Sequence, residues 1–196
     1  MRLYTGPTTP FGRMVEVLAI EAGLELPREV VKVTEARFLD EANPLRLIPT
    51  LVDTPHGTIH DSRVICRYLA SLSSDVGFYP AAADWRFETR LALISGIMDA
   101  GVARQGERSR PEASRSEAAI AVFERRLAKG IAALDRDFQA FADAWPRMDA
   151  IAAAVLLAYV DFRVGPRWRE ASPALAGWFA VAGERASMAA TRFPAP

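Results

Sequence analysis

The chain has 196 residues, of which 51% are apolar, and it carries equal numbers of acidic and basic side chains, 24 of each. This length allows one or two hydrophobic cores, and the neutral balance argues against nucleic-acid binding as the main task. The single cysteine, Cys66, excludes an internal disulfide and suits a reducing compartment. The start of the chain lacks the apolar run of a secretion signal, and the longest apolar stretch, 151–160, is too short to span a bilayer. We therefore expect a cytoplasmic protein without a membrane partner.

The first third of the chain alternates between strand and helix patterns. A short strand at 2–4 is followed by a turn and a helix over 10–22, for which Thr9 is the natural N-cap and Gly23 the stop. Further strands are expected at 28–33, 50–53 and 58–60, with a helical turn at 37–41 and a helix that begins at 62. This alternation indicates an α/β layer.

The remainder of the chain has helical periodicity. Ser, Asp, Gly and Pro are enriched over 74–83, which predicts a linker. Apolar residues then recur at three- and four-residue spacing over 87–102 and 120–141. The stretch 151–159 is apolar on every face, which is typical of a helix in the middle of a bundle, and a further helix is expected around Leu175.

Residues 43–72 contain the most informative pattern in the chain. Ile48-Pro49 precedes a short apolar strand, and Asp61-Ser62 opens a helix about a dozen residues later. The residue before a proline is extended, and a cis bond is accessible only before proline, so the Ile48 backbone can face outward and pair with an extended ligand. Unpaired N–H groups at a helix start bind carboxylates. The pattern predicts a site for a peptide-like ligand, with an ordinary turn proline and an ordinary capping pair as the alternative.

Three segments, in this order, resemble motifs of the glutathione S-transferase family. Residues 8–13 resemble its Ser-Pro-Tyr/Phe-x-Arg segment, residues 47–51 its cis-proline motif, and Asp61-Ser62 its acid-serine pair. The stretches 96–100 and 158–163 resemble the helical half of bacterial members of the YibF type. The resemblance covers nearly the whole chain, and the cis-proline and Asp-Ser motifs are its most specific parts.

The resemblance implies a glutathione transferase architecture. A thioredoxin-like α/β domain over 1–76 would bind glutathione, a linker would follow over 77–84, and an all-helical domain over 85–196 would supply the electrophile pocket and the dimer contacts. Family members usually form two-fold dimers with the site near the interface, so a homodimer is implied. Glutathione would enter as a co-substrate, and no metal is expected.

The resemblance also implies roles for individual residues. The candidate glutathione ligands are Ile48, Pro49, Asp61, Ser62, Arg13 and Asp99. Ile48 would hold the cysteinyl backbone, and Asp61 and Ser62 the γ-glutamyl end. Arg13 is a candidate for an anionic group because guanidinium pairs well with carboxylates, and Asp99 could face the glutathione amine in its own subunit or in a neighbour's. The candidate walls of the electrophile pocket are Phe11, Met98, Val102 and Tyr159.

Activation of the bound thiol is the central chemical question. Free thiols ionise near pH 8.5, and the thiolate is the nucleophile. A helix terminus contributes about 0.3 to 1 kcal/mol to an anion, whereas a hydroxyl hydrogen bond contributes about 1.5 to 3 kcal/mol. The family's catalytic serine falls on Thr9, whose methyl group restricts the rotamer and crowds the sulfur. Thr8 is an alternative donor, Thr9 could serve only as a cap, and Tyr4 is more simply explained as a core residue.

Cysteine chemistry is not expected at the site. The absence of cysteine at position 9 argues against the mixed-disulfide chemistry of some bacterial family members. Cys66 lies on the apolar face of a predicted helix and is interpreted as a small buried packing residue.

One departure from the family pattern lies at the start of the apolar helix. Family members commonly place Ser or Thr three residues ahead of an Asp as a capping box, whereas here Pro146 stands three residues ahead of Asp149. We expect slightly weaker local stability and no change in fold, since Asp149 still favours the positive end of the helix.

The sequence therefore predicts a glutathione transferase that adds the tripeptide thiolate to a small apolar electrophile. Two alternatives stay open: a glutathione-binding protein without turnover, and a protein-interaction module like the stringent starvation proteins. A glutathione-dependent isomerase, peroxidase or dehalogenase would use the same glutathione site.

Overall fold

The computed structural model describes residues 1–74 and 77–195 and divides the chain into two compact units. One unit comprises Met1–Tyr79 with Ala186–Pro196, and the other comprises Pro80–Arg185. The domain boundary predicted at residue 76 lies outside the described residues, and the predicted linker 77–84 forms neither helix nor strand. Residues 186–195, called the C-terminal segment below, group with the first unit, whereas the sequence-based division placed them in the helical domain.

The first unit is built around a mixed four-stranded sheet. Its strands are β1 (Arg2–Thr5), β2 (Arg28–Val30), β3 (Thr50–Thr54) and β4 (Gly57–His60), in the order β2-β1-β3-β4. β1 is parallel to β2 and antiparallel to β3, which in turn is antiparallel to β4. The helices of this unit are α1 (Pro10–Glu21), α2 (Leu39–Ala42) and α3 (Ser62–Leu72), together with a short helix in the C-terminal segment. The predicted thioredoxin-like α/β fold is confirmed.

Local signals set the limits of α1. Thr9 is extended and its side chain accepts a hydrogen bond from an N–H in the first turn, while Pro10 occupies the first helical position. The helix ends before Gly23, which has a φ of +66°, and the Leu24 N–H donates to the Ala19 carbonyl at 2.9 Å to close the last turn. The observed helix ends one residue before the predicted limit.

The second unit is all-helical, as predicted. Its helices are α4 (Trp85–Arg108), α5 (Glu117–Asp137), α6 (Met148–Arg163), α7 (Trp168–Ala171) and α8 (Pro173–Ala182), and α9 (Ala186–Ala190) belongs to the C-terminal segment. Every residue of α6 from 148 to 157 is buried, and α6 contacts both α4 and α8. The prediction of a central helix is therefore confirmed. Within the described ranges, no helix has both the length and the apolar character needed to cross a membrane.

A buried charge cluster replaces the capping box at the start of α6. The fully buried Asp149 carboxylate accepts hydrogen bonds from Arg90 Nη1 at 2.7 Å and from Arg147 Nε and Nη2, both at 2.8 Å. Arg90 also donates to Asp137 at 2.7 Å. Burial by itself would lower the pKa of Arg90, but its two carboxylate partners raise it overall. Two guanidinium groups thus hold the Asp149 carboxylate at the start of α6, where no side chain of the N-cap residue Arg147 caps the helix.

Candidate functional site

The register of the sheet brings the three predicted motifs to one edge. Tyr4 near the end of β1 pairs with Thr50, the first residue of β3, and Thr50 pairs with His60, the last residue of β4. The first motif follows β1, the second includes the loop before β3 and the first two residues of that strand, and the third follows β4. All three segments therefore leave the sheet at the same end.

Two glycines allow the turn after β1 to close against the other motifs. A Cβ atom built on Gly6 would lie 2.9 Å from Ile48 Cδ1 and 3.9 Å from Thr9 Cγ2, so this turn contacts both residues. A Cβ built on Gly12 would lie 2.1 Å from Thr5 Oγ1 and 2.7 Å from Thr9 Cγ2, which no real side chain tolerates. The sequence analysis placed Gly6 in a turn and Gly12 within the first motif, but it gave neither glycine a packing role. For Gly12 a signal was available in the sequence, because glycine is a poor helix former and here it stands in the first turn of a well-capped helix.

Thr9 lies at the N-terminus of α1, and its hydroxyl accepts one hydrogen bond and donates none to a described residue. Its Oγ1 accepts a long hydrogen bond of 3.5 Å from the Gly12 N–H, and the side chain is half-buried. In the part of the chain that the structure describes, neither the Thr9 nor the Thr8 hydroxyl donates a hydrogen bond. Tyr4 is buried in the core of the unit, with its ring edge-on to Phe38 at 5.2 Å. The interpretation of Tyr4 as a core residue is confirmed.

The loop before β3 presents an open stretch of backbone. The Ile48-Pro49 bond is cis, as predicted. The buried Asn43 donates its Nδ2 group to the Leu47 carbonyl and to Thr50 Oγ1, both at 3.1 Å, and Thr50 Oγ1 donates to the same carbonyl at 2.7 Å. Across residues 1–74 and 77–195, neither the N–H nor the C=O of Ile48 has a hydrogen-bond partner.

Asn43 and Thr50 hold this loop in place, and sequence analysis assigned neither of them that task. The one local signal was an asparagine directly before a proline, because asparagine side chains commonly bond to nearby backbone groups in turns.

Asp61 and Ser62 form the start of α3. Asp61 has a φ of +68°, an uncommon conformation for a non-glycine residue and one that concentrates at functional sites. Its Oδ1 caps the helix through the Arg63 N–H at 2.9 Å, and the Arg63 guanidinium contacts the carboxylate at 2.8 and 3.1 Å. The side-chain hydrogen bond from Arg63 is the main reason that the pKa of Asp61 lies below its ordinary value. The Ser62 side chain is mostly buried, and its hydroxyl makes no hydrogen bond to any described residue.

Arg13 has a different environment from the one that the sequence predicts. It is only 6% exposed, its Nη2 donates to the Met188 carbonyl at 2.9 Å, and its Nε donates to Thr191 Oγ1 at 3.3 Å. The guanidinium lies 4.5 Å from the centre of the Phe193 ring. Burial lowers the pKa of Arg13 to about 10. The C-terminal segment thus occupies the group that sequence analysis assigned to an anionic ligand, and we remove Arg13 from the candidate ligands.

The candidate residues on the helical unit fall into two groups. Met98 and Tyr159 are buried, because Met98 lies on the core-facing stripe of α4 and Tyr159 on the central helix α6. Burial is also the main reason that the pKa of Tyr159 is raised. Because Met98 and Tyr159 are buried, neither forms the accessible pocket wall that the sequence predicts for both. Asp99 is exposed on α4, and Val102 is 39% exposed.

Phe11 and Cys66 are the remaining residues of the first unit for which the sequence predicts a role, Phe11 as a pocket wall and Cys66 as a packing residue. Phe11 follows Pro10 on the first turn of α1 and is half-buried. Cys66 is fully buried on α3, and burial raises the pKa of its thiol, so its interpretation as a packing residue is confirmed. Among the described residues, no group of three or more His, Cys, Asp or Glu side chains could hold a metal ion.

Comparison with known proteins agrees with this geometry. Residues 8–72 match the family model for the glutathione S-transferase N-terminal domain. The chain is 32% identical to a glutathione transferase family member from Pseudomonas fluorescens Pf-5, solved with bound glutathione, and the match covers 98% of each chain with a TM-score of 0.91. It is 28% identical to a glutathione S-transferase from Methylobacillus flagellatus KT, solved with GSH bound, over 97% of this chain and 98% of that one, with a TM-score of 0.89.

A curated relative shows the same similarity. The uncharacterized GST-like protein YibF of Escherichia coli K12 is 29% identical over 182 residues, which is 86% of each chain. The fold and the matched motifs together define a two-unit protein with a thioredoxin-like first unit and a helical second unit. The chain belongs to the glutathione S-transferase family.

Proposed function

We propose that this protein is a glutathione transferase, which binds reduced glutathione at the sheet edge and adds its thiolate to a small apolar electrophile. The observation that carries the proposal is the open backbone of Ile48 beside the turn that leads to Thr9. Relatives from Pseudomonas fluorescens and Methylobacillus flagellatus were solved with bound glutathione, which supports the same ligand here. Pairing with free backbone groups suits a tripeptide, because such a ligand can be held like an added strand.

The γ-glutamyl end of the tripeptide is assigned to the start of α3. The Asp61 carboxylate, whose pKa lies below the ordinary value of 3.8, is charged at neutral pH and can attract the ligand's ammonium group. The Ser62 hydroxyl, which has no bonded partner among the described residues, can donate to the ligand's carboxylate. The N-terminus of an eleven-residue helix adds a favourable field for that anion. Ile48 would pair with the cysteinyl residue between the two ends.

Thr9 is the proposed activator of the sulfur. Its hydroxyl can donate to the thiolate because no described residue accepts that proton. A hydrogen bond to a charged acceptor contributes about 1.5 to 3 kcal/mol, which lowers a thiol pKa by one to two units. The thiol proton leaves to solvent, and the thiolate forms a C–S bond to the electrophilic carbon. With an aryl halide, the halide leaves with the electron pair of the broken bond. Phe11 is the apolar side chain on the same helical turn.

Glutathione binding is tested first, by thermal unfolding with and without reduced glutathione. A ligand that binds only the folded state stabilises it by about 2.7 kcal/mol at a hundredfold excess over Kd. We expect a rise in Tm that Ser62→Ala reduces. If glutathione produces no shift in the native protein, the proposal fails, and the interaction-module alternative is favoured.

Turnover is tested with an activated aryl halide and a matched pair of variants. We expect Thr9→Val to lose roughly ten- to a hundredfold in kcat while retaining glutathione binding, because one hydrogen bond to a charged acceptor is removed. Thr8→Val should keep its rate. Full activity in both variants would remove Thr9 from its role. Binding without any turnover in the native protein would instead support the non-catalytic alternative.

A homodimer is the second part of the proposal. Such an assembly is implied by the family resemblance, and the open groove of about 440 Å³ on the helical unit, between α4 and α5, is the surface chosen for its test. Its lining combines apolar and small residues with basic residues; it includes Leu93, Gly96, Ile97, Arg125, Arg126 and Lys129. Light scattering should give the mass of a dimer, and Leu93→Glu should reduce it. Val181→Glu, on an exposed residue of α8, is the control. A monomeric native protein would contradict this assignment.

A further inference from the structure

We propose that Arg13 is a positioning residue for thiol activation, through which the C-terminal segment fixes the first turn of α1 and thereby the hydroxyl of Thr9. This inference rests on the proposed function. It adds Arg13 to the residues that determine thiol activation, a role that neither the motif comparison nor the strand pairing assigns to it. It replaces the direct ligand role that the sequence predicts for Arg13.

Arg13 makes specific contacts in a buried environment that is unfavourable for its charge. The buried guanidinium is held by the Met188 carbonyl at 2.9 Å, by Thr191 Oγ1 at 3.3 Å and by the face of Phe193. These partners are all uncharged, and no carboxylate forms an ion pair with Arg13 in the described ranges. The carboxylate of Glu16 attracts Arg13 only from beyond ion-pair distance, and burial of a cation without a directly paired counter-ion is unfavourable. Packing alone would be served better by an apolar side chain, so the presence of arginine here points to a function other than stability.

The backbone links Arg13 directly to Thr9. The Arg13 N–H donates to the Thr9 carbonyl at 3.1 Å, so these two residues lie one helical turn apart and move together. The Thr9 hydroxyl itself has only one long contact, to the Gly12 N–H. Its orientation therefore depends on how firmly the first turn of α1 is held.

The C-terminal segment contacts α1 at both ends of the helix. Near Thr9 the contact is made through Arg13, and at the far end the Ser187 hydroxyl donates to the Glu21 carboxylate. Thr191, the acceptor for Arg13, is in turn held by its own hydrogen bond to the Ser187 carbonyl at 2.9 Å. The two attachment points provide a matched comparison, because only one of them is close to the site.

Four variants, Thr191→Val, Arg13→Lys, Arg13→Met and Ser187→Ala, test the proposal, with the pKa of the bound thiol as the measurement. Thiolate absorbance of the glutathione complex is followed against pH, together with Tm and glutathione Kd. Thr191→Val removes one acceptor and leaves the Arg13 charge, and Arg13→Lys keeps a charge but loses the planar fork that binds two acceptors. We expect both to raise the apparent pKa of the bound thiol by about one unit, a tenfold loss of thiolate. Ser187→Ala removes the distant attachment and should leave the thiol pKa unchanged.

Each other outcome contradicts the proposal. A native thiol pKa in Thr191→Val with intact folding would show that the segment does not position Thr9. A native value in Arg13→Lys with a raised value in Arg13→Met would assign the effect to charge alone. An equal rise in Ser187→Ala would indicate general loosening of the unit. Failure of the native protein to bind glutathione refutes the proposed function itself, and the thermal shift experiment detects that separately.

Discussion

Two helices of this protein have, next to or within their first turn, an aspartate that is paired with an arginine two residues away, and the two aspartates differ strongly in burial. At α3, Asp61 is paired with Arg63, and both side chains are substantially exposed. At α6, Asp149 is paired with Arg147 and Arg90, and the carboxylate is fully buried. The residue types and the two-residue spacing are shared, but the arginine follows the aspartate at α3 and precedes it at α6, and only Asp61 is the N-cap.

The difference shows how one arrangement serves either binding or stability. A buried carboxylate must keep all of its partners, because an unpaired charge in the interior is very unfavourable. An exposed carboxylate can exchange an internal partner for a ligand at little cost, since exposed ion pairs contribute about 0 to 1 kcal/mol. Asp61 is thus suited to a ligand, and Asp149 to holding the start of α6.

The largest effect is expected from Asp149→Ala. Removal of this carboxylate leaves Arg90, which is itself buried, without one of its two partners. We expect the free energy of unfolding to fall by about 3 to 5 kcal/mol, measured by urea denaturation. Asp143→Ala, at an exposed position just before α6, is the control and should change stability by less than about 0.5 kcal/mol. A loss below 1 kcal/mol for Asp149→Ala would contradict this account of burial.

Replacing the arginine at each helix start sharpens the comparison. Arg147→Ala should lower the free energy of unfolding by about 1.5 to 3 kcal/mol, because Asp149 loses two charged hydrogen bonds but retains Arg90. Arg63→Ala should lower it by less than about 1 kcal/mol. Equal losses in the two variants, measured under the same denaturant conditions, would mean that burial does not distinguish the two sites.

Asp61→Asn should affect ligand binding more than stability. Asparagine remains a good N-cap, so unfolding should change little. Loss of the charge should weaken glutathione binding roughly tenfold or more, since a hydrogen bond to a charged group contributes about 1.5 to 3 kcal/mol. Isothermal titration calorimetry provides the Kd. Native affinity in this variant would remove Asp61 from the proposed γ-glutamyl contacts.

The smallest expected effect is the pH dependence due to Asp61. Its pKa in the folded protein lies below the ordinary value of 3.8, so its contribution is complete above that value and is lost as the pH falls through the lower folded pKa. The stability difference between the native protein and Asp61→Asn should therefore be constant from pH 7 to 5 and disappear in strong acid. Its size should be below about 1 kcal/mol because the pair is exposed. If the stability difference instead grew as the pH fell, the direction assigned to the pKa shift of Asp61 would be wrong.

The elements that sequence analysis predicted well are those with local signals. Thr9, Pro10 and Gly23 determine the limits of α1 within a few residues of themselves, and the cis bond at Ile48-Pro49 was predicted from the motif in which it stands. The three motifs were placed in one site by family resemblance. The structure adds the physical basis, since the pairing of β1, β3 and β4 brings them to one edge.

The elements that were missed depend on distant contacts. Arg13 and Thr191 are 178 positions apart, and no local pattern indicates that they meet. The same is true of Gly12, whose necessity becomes apparent only when the Thr5 side chain is seen against it. The helices α7 and α9 have only four and five residues, too few to show a periodic apolar face. The position of Asn43 before a proline indicated a turn, but the sequence did not indicate that its side chain bonds to Leu47 and Thr50.

The complete burial of Cys66 has a chemical consequence if the protein has the proposed transferase activity. The side chain is inaccessible and its thiol resists ionisation, whereas alkylating agents attack exposed thiolates. The chain has no other cysteine. A transferase of this kind would meet reactive carbon compounds at every cycle without exposing a thiol of its own, and so would avoid inactivation by alkylation of cysteine.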